Sequence, residues 1–445
     1  LVFGGSIVVI FLLFGIVLSA IFGPEFANML STHWLPNILF AIIFIIFAIS
    51  LLGYFEITLP SSWVNKSAKN KSKGGIIGVF FMALTLVLVS FSCTLPIAGA
   101  VALGSADGSF LKPIIGMLGF SLGIAVPFTF FAFFPSMLKT LPKSGGWMNT
   151  LKVILAFVEL AFALKFINVP DQTYHWGILD REVYLAFWIV IFSMLGFYLI
   201  GKIRFPHDDE MPVQHSWIRY MLAIFVFTFV VYLIPGMFGA PLKALSGWMP
   251  PMTTQDFDVN AIIRNEVNNG KTISLSDATQ NDAGLEAPKY AETLHLPFGL
   301  KGYFDYDQAL RVAKAADKPL FIDFTGHGCT NCRNVENAVW IDPRVQERFK
   351  NELILSALYV DDKIVVLDEE DQILDKDNEP ITKLGKKNYF ISNTKYSVNS
   401  QPTYLIVDHD GSVLAGPIAY ELNVDNYLKF LDEGIAAFKK KHNKE

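Results

Sequence analysis

Seven long apolar runs fill the first half of the chain and restrict the folds open to it. A helix rises about 1.5 Å per residue, so about 20 apolar residues are needed to cross the hydrocarbon core of a bilayer. The runs lie at about 2–23, 35–54, 76–103, 114–135, 148–168, 183–200 and 220–238. Runs so long and so poor in charge seldom occur in soluble folds. Residues 1–238 are therefore predicted to form a polytopic α-helical membrane domain.

Charge is divided unevenly between the two halves of the chain. Residues 1–238 carry 13 Lys/Arg and 10 Asp/Glu, whereas residues 239–445 carry 23 and 31. The net charge of −5 is therefore the sum of +3 and −8. We predict a linker over residues 239–300 and a soluble, acidic domain over residues 301–445. Because no basic stripe stands on the soluble half, nucleic-acid binding is not expected.

The connections between the runs predict the orientation of the chain. Connections 55–75, 136–147 and 201–219 hold nine basic residues, while the alternate connections hold two, Lys112 and Arg181. Lysine and arginine are in excess in cytoplasmic loops, so the first set is placed in the cytoplasm. An odd number of crossings then puts the soluble half outside. The first run has no preceding methionine, basic stretch or cleavage site, so we expect the natural protein to begin upstream.

After about residue 301 the pattern changes to alternating helices and strands, which predicts an α/β domain. The polar segment 361–398 is predicted as an insertion. The other predicted elements, in chain order, are a helix at 306–317, a strand at 318–324, a helix from 329, strands at 353–360, 403–408 and 412–416, and a helix at 424–442.

Two cysteines, Cys329 and Cys332, stand where the first of these strands passes into a helix. The positive end of a helix favours a thiolate, so Cys329 is expected to attack and Cys332, one turn later, to release the product. Two alternatives remain open. A zinc site could use His327, although the soluble half has no third cysteine. A structural disulfide would close a loop too short to stabilise much.

The stretches LFIDFTGHGCTNCR and VNSQPTYLIVD resemble the active-site strand and helix and the cis-proline segment of thioredoxin-like domains. The resemblance implies that Pro402 packs beside the disulfide and presents backbone to an extended substrate. It also implies that Asp323 is the buried acid that takes the proton of Cys332. The alternatives are an ordinary loop proline and a strand-end acid bonded to backbone. The sequence departs from the family at Gly328, where an aromatic residue is usual, and in the length of segment 361–398.

The third cysteine, Cys93, lies in the apolar stretch LVSFSCTLPIAGAVALGSADGS. Pro96 disturbs the predicted helix because proline has no N–H to donate, and the small residues after it allow close packing. A lone buried cysteine is ordinarily only a small hydrophobic residue. Together with the thioredoxin-like domain, however, this pattern resembles the DsbD family of thiol:disulfide interchange proteins and its CcdA-like membrane core, over nearly the whole chain.

In that family, two membrane cysteines pass electrons from cytoplasmic thioredoxin to an outer thioredoxin-like domain. The resemblance implies that Cys93 is one of them, and that its partner and an N-terminal periplasmic domain precede residue 1. It implies a protein-disulfide reductase of the bacterial inner membrane whose C-terminal domain lies in the periplasm. Its acceptors would be periplasmic thioredoxin-like or other disulfide-containing proteins, including those of cytochrome c biogenesis. Every step is exchange between sulfurs, so no haem, flavin or metal is expected.

Two ionisable residues are candidates for proton handling, Glu159 near the middle of a predicted span and His327 beside the cysteine pair. Charged residues inside a membrane usually face a cavity or a partner, so a packed charge pair of Glu159 with Lys152 is the alternative. Two other functions also remain open for the chain. One is a membrane transporter with a non-redox thioredoxin-fold domain, and the other is a protein that binds soft metals through its Cys-x-x-Cys pair.

Overall fold

A computed structural model describes residues 32–55, 146–206, 208, 217–259, 262–263 and 285–442, with a few isolated positions before residue 127. Apart from those isolated positions, the predicted runs at about 2–23, 76–103 and 114–135 lie outside the described residues, and so does Cys93. The chain divides into two compact units. The first comprises Leu1–Phe166 with Ile191–Val226, and the second comprises Ile167–Val190 with Phe227–Glu445.

Four long helices represent the apolar half in the described part of the chain. They are α1 (Trp34–Leu51), α2 (Gly146–Thr173), α3 (Arg181–Leu199) and α4 (Trp217–Leu233). By length and composition, three helices among the described residues can cross a membrane: α1, α3, and α4 with the turn that extends it to Phe238. They match three predicted runs, and α2 covers a fourth. Large apolar side chains such as Trp217 and Phe225 are more than 70% exposed, as lipid-facing residues are in a membrane helix.

Three alanines lie in the core of the first unit, beside larger side chains such as Phe157 and Tyr198. Ala48, Ala156 and Ala223 are at most 2% exposed and lie in one cluster with Val153 and Leu195. Alanine at such positions lets helix backbones approach closely, which is how helices associate when lipid removes the hydrophobic driving force.

The second unit contains a four-stranded mixed sheet. Its strands are β1 (Leu320–Thr325), β2 (Ile354–Tyr359), β5 (Thr403–Val407) and β6 (Val413–Ile418), in the order β2-β1-β5-β6. Strand β1 pairs in parallel with β2 and antiparallel with β5, which pairs antiparallel with β6. Two short strands, β3 (Ile373–Leu374) and β4 (Pro380–Ile381), form a separate hairpin. The predicted α/β fold is confirmed.

Helices cover both faces of this sheet. They are α5 (Tyr306–Ala316), α6 (Thr330–Val335), α7 (Pro343–Asn351), α8 (Leu384–Tyr396) and α9 (Val424–Lys441). All six residues of β1 are buried. Phe321 packs into one apolar cluster, whereas Ile322 and Phe324 pack into another. A strand buried on both faces reads as a continuous apolar run, and this pattern made β1 recognisable in the sequence.

Helix α7 is absent from the sequence prediction, which passes directly from the cysteine helix to β2. Asp342 caps α7, since its carboxylate accepts a hydrogen bond from the Arg344 N–H at 2.9 Å, and Pro343 occupies the first helical position. Val345 and Phe349 are buried. The Asp-Pro pair is therefore the local signal that could have revealed this helix.

Segment 361–398 is predicted only as a polar insertion, whereas the structure places the β3–β4 hairpin and helix α8 there. The prediction was incomplete because Lys387, polar by type, faces inward. Its side chain is fully buried, and its Nζ lies 2.7 Å from the buried Asp305 carboxylate. Together with Leu384 and Ile391 it forms the buried side of α8, so the apolar periodicity expected of a helix is broken.

Residues 285–300 pack against the mixed sheet domain, although they belong to the predicted linker. Leu294, Leu296 and Leu300 lie in the same buried cluster as Phe321. Glu286 accepts two hydrogen bonds at 3.0 Å from the Arg311 guanidinium of α5.

Candidate active site

The two cysteines lie at the carboxyl end of β1, where the chain turns into α6. They form a disulfide with a Cα–Cα distance of 5.3 Å. Cys329 is the N-cap of α6, and its Sγ accepts a hydrogen bond from the Cys332 N–H at 3.1 Å. Cys332 is fully buried, whereas Cys329 is partly exposed. An incoming thiol or disulfide can therefore reach Cys329 far more readily than Cys332.

The turn before Cys329 is held by a buried carboxylate that the sequence analysis did not identify. Asp361 accepts hydrogen bonds from the backbone N–H groups of His327 at 2.8 Å and Gly328 at 3.0 Å. A Cβ on Gly326 would lie 2.9 Å from the same carboxylate, so only glycine fits there. The partners are 33 and 34 residues apart in sequence, and no local pattern could have joined them.

Asp323 lies in β1 and is almost fully buried. Its Oδ1 has no hydrogen-bond partner within the described part of the chain. Burial, and then the charge of Glu336, raise the pKa of Asp323 well above its usual range, while Arg333 opposes the shift. Burial therefore favours the protonated form of this carboxyl group.

A buried ion pair joins Arg333 of α6 to Glu336, the residue that follows this helix. Arg333 Nη2 lies 2.7 Å from Glu336 Oε1, and both side chains are at most 6% exposed. Burial raises the pKa of Glu336 to about 7, although the charge of Arg333 lowers it. The sequence analysis missed both residues. Their i, i+3 spacing directly after the second cysteine is the signal that could have found them.

Pro402 precedes β5, and the Gln401–Pro402 peptide bond is cis. Phe324 pairs with Thr403 across β1 and β5, so Pro402 stands one residue beyond that pair, at the end of the sheet where the cysteine turn begins. The cis peptide bond therefore lies at the same end of the sheet as the cysteine turn.

His327 lies in the turn, two residues before Cys329, and its ring stacks on Tyr359 with centroids 4.3 Å apart. Its Nε2 lies 3.1 Å from Asp362 Oδ2, and His175 Nε2 lies 2.7 Å from the same oxygen. Burial opposes ionisation of Asp362, but hydrogen bonds from the two histidines lower its pKa below the usual range. Sequence reasoning missed His175 and Asp362, which are 187 positions apart.

Ser246 and Gly247, in the segment after α4, lie against α6. Ser246 Oγ donates a hydrogen bond to Asn334 Oδ1 at 2.8 Å. A Cβ on Gly247 would lie 2.6 Å from the Thr330 side chain, closer than two carbon atoms can approach. Glycine at 247 thus allows this segment to lie against the helix that carries the cysteines.

The remaining predicted site residues are not brought to this end of the sheet. Glu159 belongs to α2 in the first unit, and its Oε2 is buried without a hydrogen-bond partner among the described residues. No ion pair joins it to Lys152 in that part of the chain, and Lys152 is exposed. Cys93 lies outside the described residues.

Comparison with known proteins gives two matches to families. Residues 1–169 match the family described as the cytochrome c biogenesis protein transmembrane domain, and residues 306–433 match the thioredoxin-like domain family. The second match spans all the strands and helices from α5 to β6 and most of α9.

Curated relatives are thiol:disulfide interchange proteins named DsbD. The protein of Vibrio vulnificus strain YJ016 is 25% identical over 322 residues, which are 71% of this chain and 44% of the relative. That of Haemophilus influenzae strain PittGG is 24% identical over 71% of this chain and 46% of the relative. That of Ralstonia nicotianae is 23% identical over 77% and 50%. The chain thus spans about half the length of the curated relatives it matches. In sequence and in the order of its domains, a membrane domain followed by a thioredoxin-like domain, the chain is similar to the DsbD thiol:disulfide interchange proteins.

Proposed function

We propose that the protein is a membrane-bound protein-disulfide reductase that passes reducing equivalents across the bacterial inner membrane to disulfide acceptors in the periplasm. One observation carries the proposal: a partly exposed N-cap cysteine is disulfide-bonded to a fully buried cysteine at the end of a thioredoxin-like sheet. We place the membrane domain at residues 1–238, the linker at 239–300 and the thioredoxin-like domain at 301–445.

The reaction is an exchange between sulfurs. Reduced Cys329 attacks one sulfur of the acceptor disulfide as a thiolate, which forms a mixed disulfide and frees the other acceptor sulfur. Cys332 then attacks the sulfur of Cys329, so the acceptor leaves as a dithiol after taking up two protons. The domain is left with its disulfide, two electrons have passed to the acceptor, and a membrane dithiol restores them by the same exchange.

Asp323 is proposed to take the proton of Cys332 in the second step. An acid buried this deeply is a strong base once ionised, because burial disfavours its charged form. Proton transfer is most effective when the acid and the base have similar pKa values, and a raised carboxyl pKa lies closer to that of a thiol. Arg333 and Glu336 adjust this value through their charges.

Cytoplasmic thioredoxin is the proposed donor, and periplasmic thioredoxin-like or other disulfide-containing proteins are the proposed acceptors. Cys93 would serve as one of the membrane thiols that link them. The excess of basic residues in alternate connections supports a periplasmic C-terminal domain. Pro402 would hold the extended acceptor backbone beside Cys329. Glu159, with a buried carboxylate oxygen in α2, is proposed to handle protons within the membrane domain.

The test is to trap the mixed disulfide in cells that produce the full-length protein. A Cys332→Ala variant leaves Cys329 without a resolving thiol, so we expect adducts of Cys329 with acceptors or membrane cysteines that dissociate on reduction. Cys329→Ala is the matched control, and it should trap far less because Cys332 is fully buried. The proposal fails if no adduct forms and the thiol redox state is unchanged when cytoplasmic thioredoxin is removed. Stoichiometric copper or zinc bound through the cysteine pair would instead favour a metal-binding protein.

A further inference from the structure

Three side chains with metal-binding atoms meet beside the cysteine turn, in the second unit. His175 follows the end of α2, His327 lies in the turn itself, and Asp362 follows β2. One ligand atom of each lies within 4.8 Å of the other two. Both histidine Nε2 atoms approach the same oxygen, Asp362 Oδ2, at 2.7 and 3.1 Å. The two imidazole rings meet edge to face with centroids 4.8 Å apart.

The carboxylate in this cluster is oriented by backbone. Asp362 Oδ1 accepts hydrogen bonds from the N–H groups of Ile364 at 3.0 Å and Val365 at 2.8 Å. Its Oδ2 is therefore the oxygen turned toward the histidines. Outer hydrogen bonds of this kind fix the direction of metal ligands in proteins.

The surroundings of the Asp362 carboxylate favour a bound cation. The Asp362 side chain is fully buried, and its ion-pair partners in the described part of the chain are the two histidines. Neither lysine nor arginine lies within ion-pair distance of it among those residues. A buried carboxylate is costly unless a cation accompanies it. A cation bound between the two imidazole nitrogens and Asp362 Oδ2 would accompany that carboxylate.

We propose that His175, His327 and Asp362 bind a zinc ion, with the fourth position of a tetrahedral site open. Two imidazole nitrogens and one carboxylate oxygen form a donor set that zinc accepts, at about 2.0–2.2 Å from each atom, which places tetrahedral ligand atoms about 3.3 Å apart. The two observed nitrogen–oxygen separations, 2.7 and 3.1 Å, would widen by about 0.6 and 0.2 Å when the ion binds. Magnesium and calcium prefer oxygen donors and fit this set less well.

This site differs from a metal clip at the cysteine pair, because it uses no sulfur. The ion therefore binds while Cys329 and Cys332 remain disulfide-bonded. It would join the segment after α2 to the turn that precedes Cys329, and so hold the turn in one position. The proposal does not depend on the relay function.

A second group of similar composition serves as the internal control. Asp317, His409 and His442 also place ligand atoms within 4.8 Å of one another, but Asp317 is exposed. The buried carboxylate nearest to that group, Asp408, already pairs with His442 at 2.8 Å and with Lys441. Its charge is therefore balanced without a metal, and we expect no tight zinc site there.

The experiment is zinc titration of the full chain, oxidised and in detergent, by isothermal calorimetry against a competing chelator. We expect one tight zinc per chain, and an affinity at least about tenfold lower in His175→Ala and in His327→Ala. His409→Ala should bind as the wild type does. His175 is partly exposed, so its replacement does not threaten folding as Asp362→Asn could.

Cobalt provides a readout that involves no activity. Cobalt bound in a tetrahedral site gives visible absorption bands, which we expect in the wild type and in His409→Ala but not in His175→Ala. The proposal is overturned if the wild type binds no zinc at micromolar concentration. It is also overturned if zinc affinity and the cobalt bands are the same in His175→Ala and His327→Ala as in the wild type.

Discussion

Two pairs of buried carboxyl groups flank the disulfide, and their surroundings are opposite. Asp323 Oδ1 has no hydrogen-bond partner among the described residues, and burial raises its pKa. Burial also raises the pKa of Glu336, although Arg333 lies 2.7 Å from it. At the turn, Asp361 accepts two backbone N–H groups, and Asp362 accepts two more in addition to its histidine contacts. The pKa of Asp362 is lowered despite its burial. Burial alone therefore does not decide the charge of an acid, because the supply of hydrogen-bond donors decides it.

The largest effect is expected from removing the carboxylate that holds the turn. Asp361→Ala leaves the buried N–H groups of His327 and Gly328 without an acceptor, so the free energy of unfolding of the second unit should fall by about 3–4 kcal/mol. Asp361→Asn keeps one acceptor oxygen and should lose about half of that. Amide hydrogen exchange of β1 peptides in the full chain measures the change. Wild-type protection in Asp361→Ala would show that the turn does not depend on this side chain.

Replacing Asp323 should slow the attack of Cys332 on the mixed disulfide and leave the free energy of unfolding nearly unchanged. Asp323→Asn keeps the shape of the side chain, and Asp323 Oδ1 has no hydrogen-bond partner among the described residues, so the free energy of unfolding should change by less than about 1 kcal/mol. Loss of the proton acceptor should slow the attack of Cys332 on the mixed disulfide by about 100-fold. Acid quenching and non-reducing gels follow that step. An unchanged rate would remove Asp323 from the proton transfer, and a stability loss like that of Asp361→Ala would erase the contrast between the two pairs.

Glu336, the other acid with a raised pKa, should make the free energy of unfolding depend on pH. Burial raises the pKa of Glu336 from 4.5 to about 7, so the native state binds more protons than the unfolded state between these values. Its contribution to stability is complete below about pH 4.5 and is lost as pH rises through 7, about 3 kcal/mol in total. Urea denaturation of the full chain from pH 4.5 to 8, compared with Glu336→Gln, measures this term. Parallel pH profiles for the two proteins would contradict it.

Local chemistry made the cysteine turn predictable. The apolar strand before Cys329, the spacing to Cys332 and the segment around Pro402 each lie within a few residues, and the structure has the expected strand, helix start and cis bond. Helix α9 was equally clear, because its apolar residues recur at helical spacing. These features depend on contacts between near neighbours in sequence.

The missed parts depend on contacts between distant residues. Lys387 is buried only because Asp305, 82 positions earlier, balances its charge. His175 reaches Asp362 from the end of a predicted membrane span, and sequence spacing carries no sign of such a meeting. Asp361 and Asp362 lie in an acidic stretch, which predicts a solvated surface, yet both side chains are buried. A single sequence shows residue types, whereas burial of a charge is decided by the partner that folding brings to it.

The smallest effect should come from an ion pair with good geometry and little burial. Arg348 lies 3.0 and 3.3 Å from the two oxygens of Asp432, much as Arg333 approaches Glu336, but the Arg348 and Asp432 side chains are 29% and 54% exposed. Water competes for both charges there, so Arg348→Ala should lower the free energy of unfolding by only about 0.5 kcal/mol. The same urea denaturation measures it at pH 7, with high salt expected to reduce the difference further. A loss above about 2 kcal/mol would mean that distance, and not exclusion of water, sets the strength of these pairs.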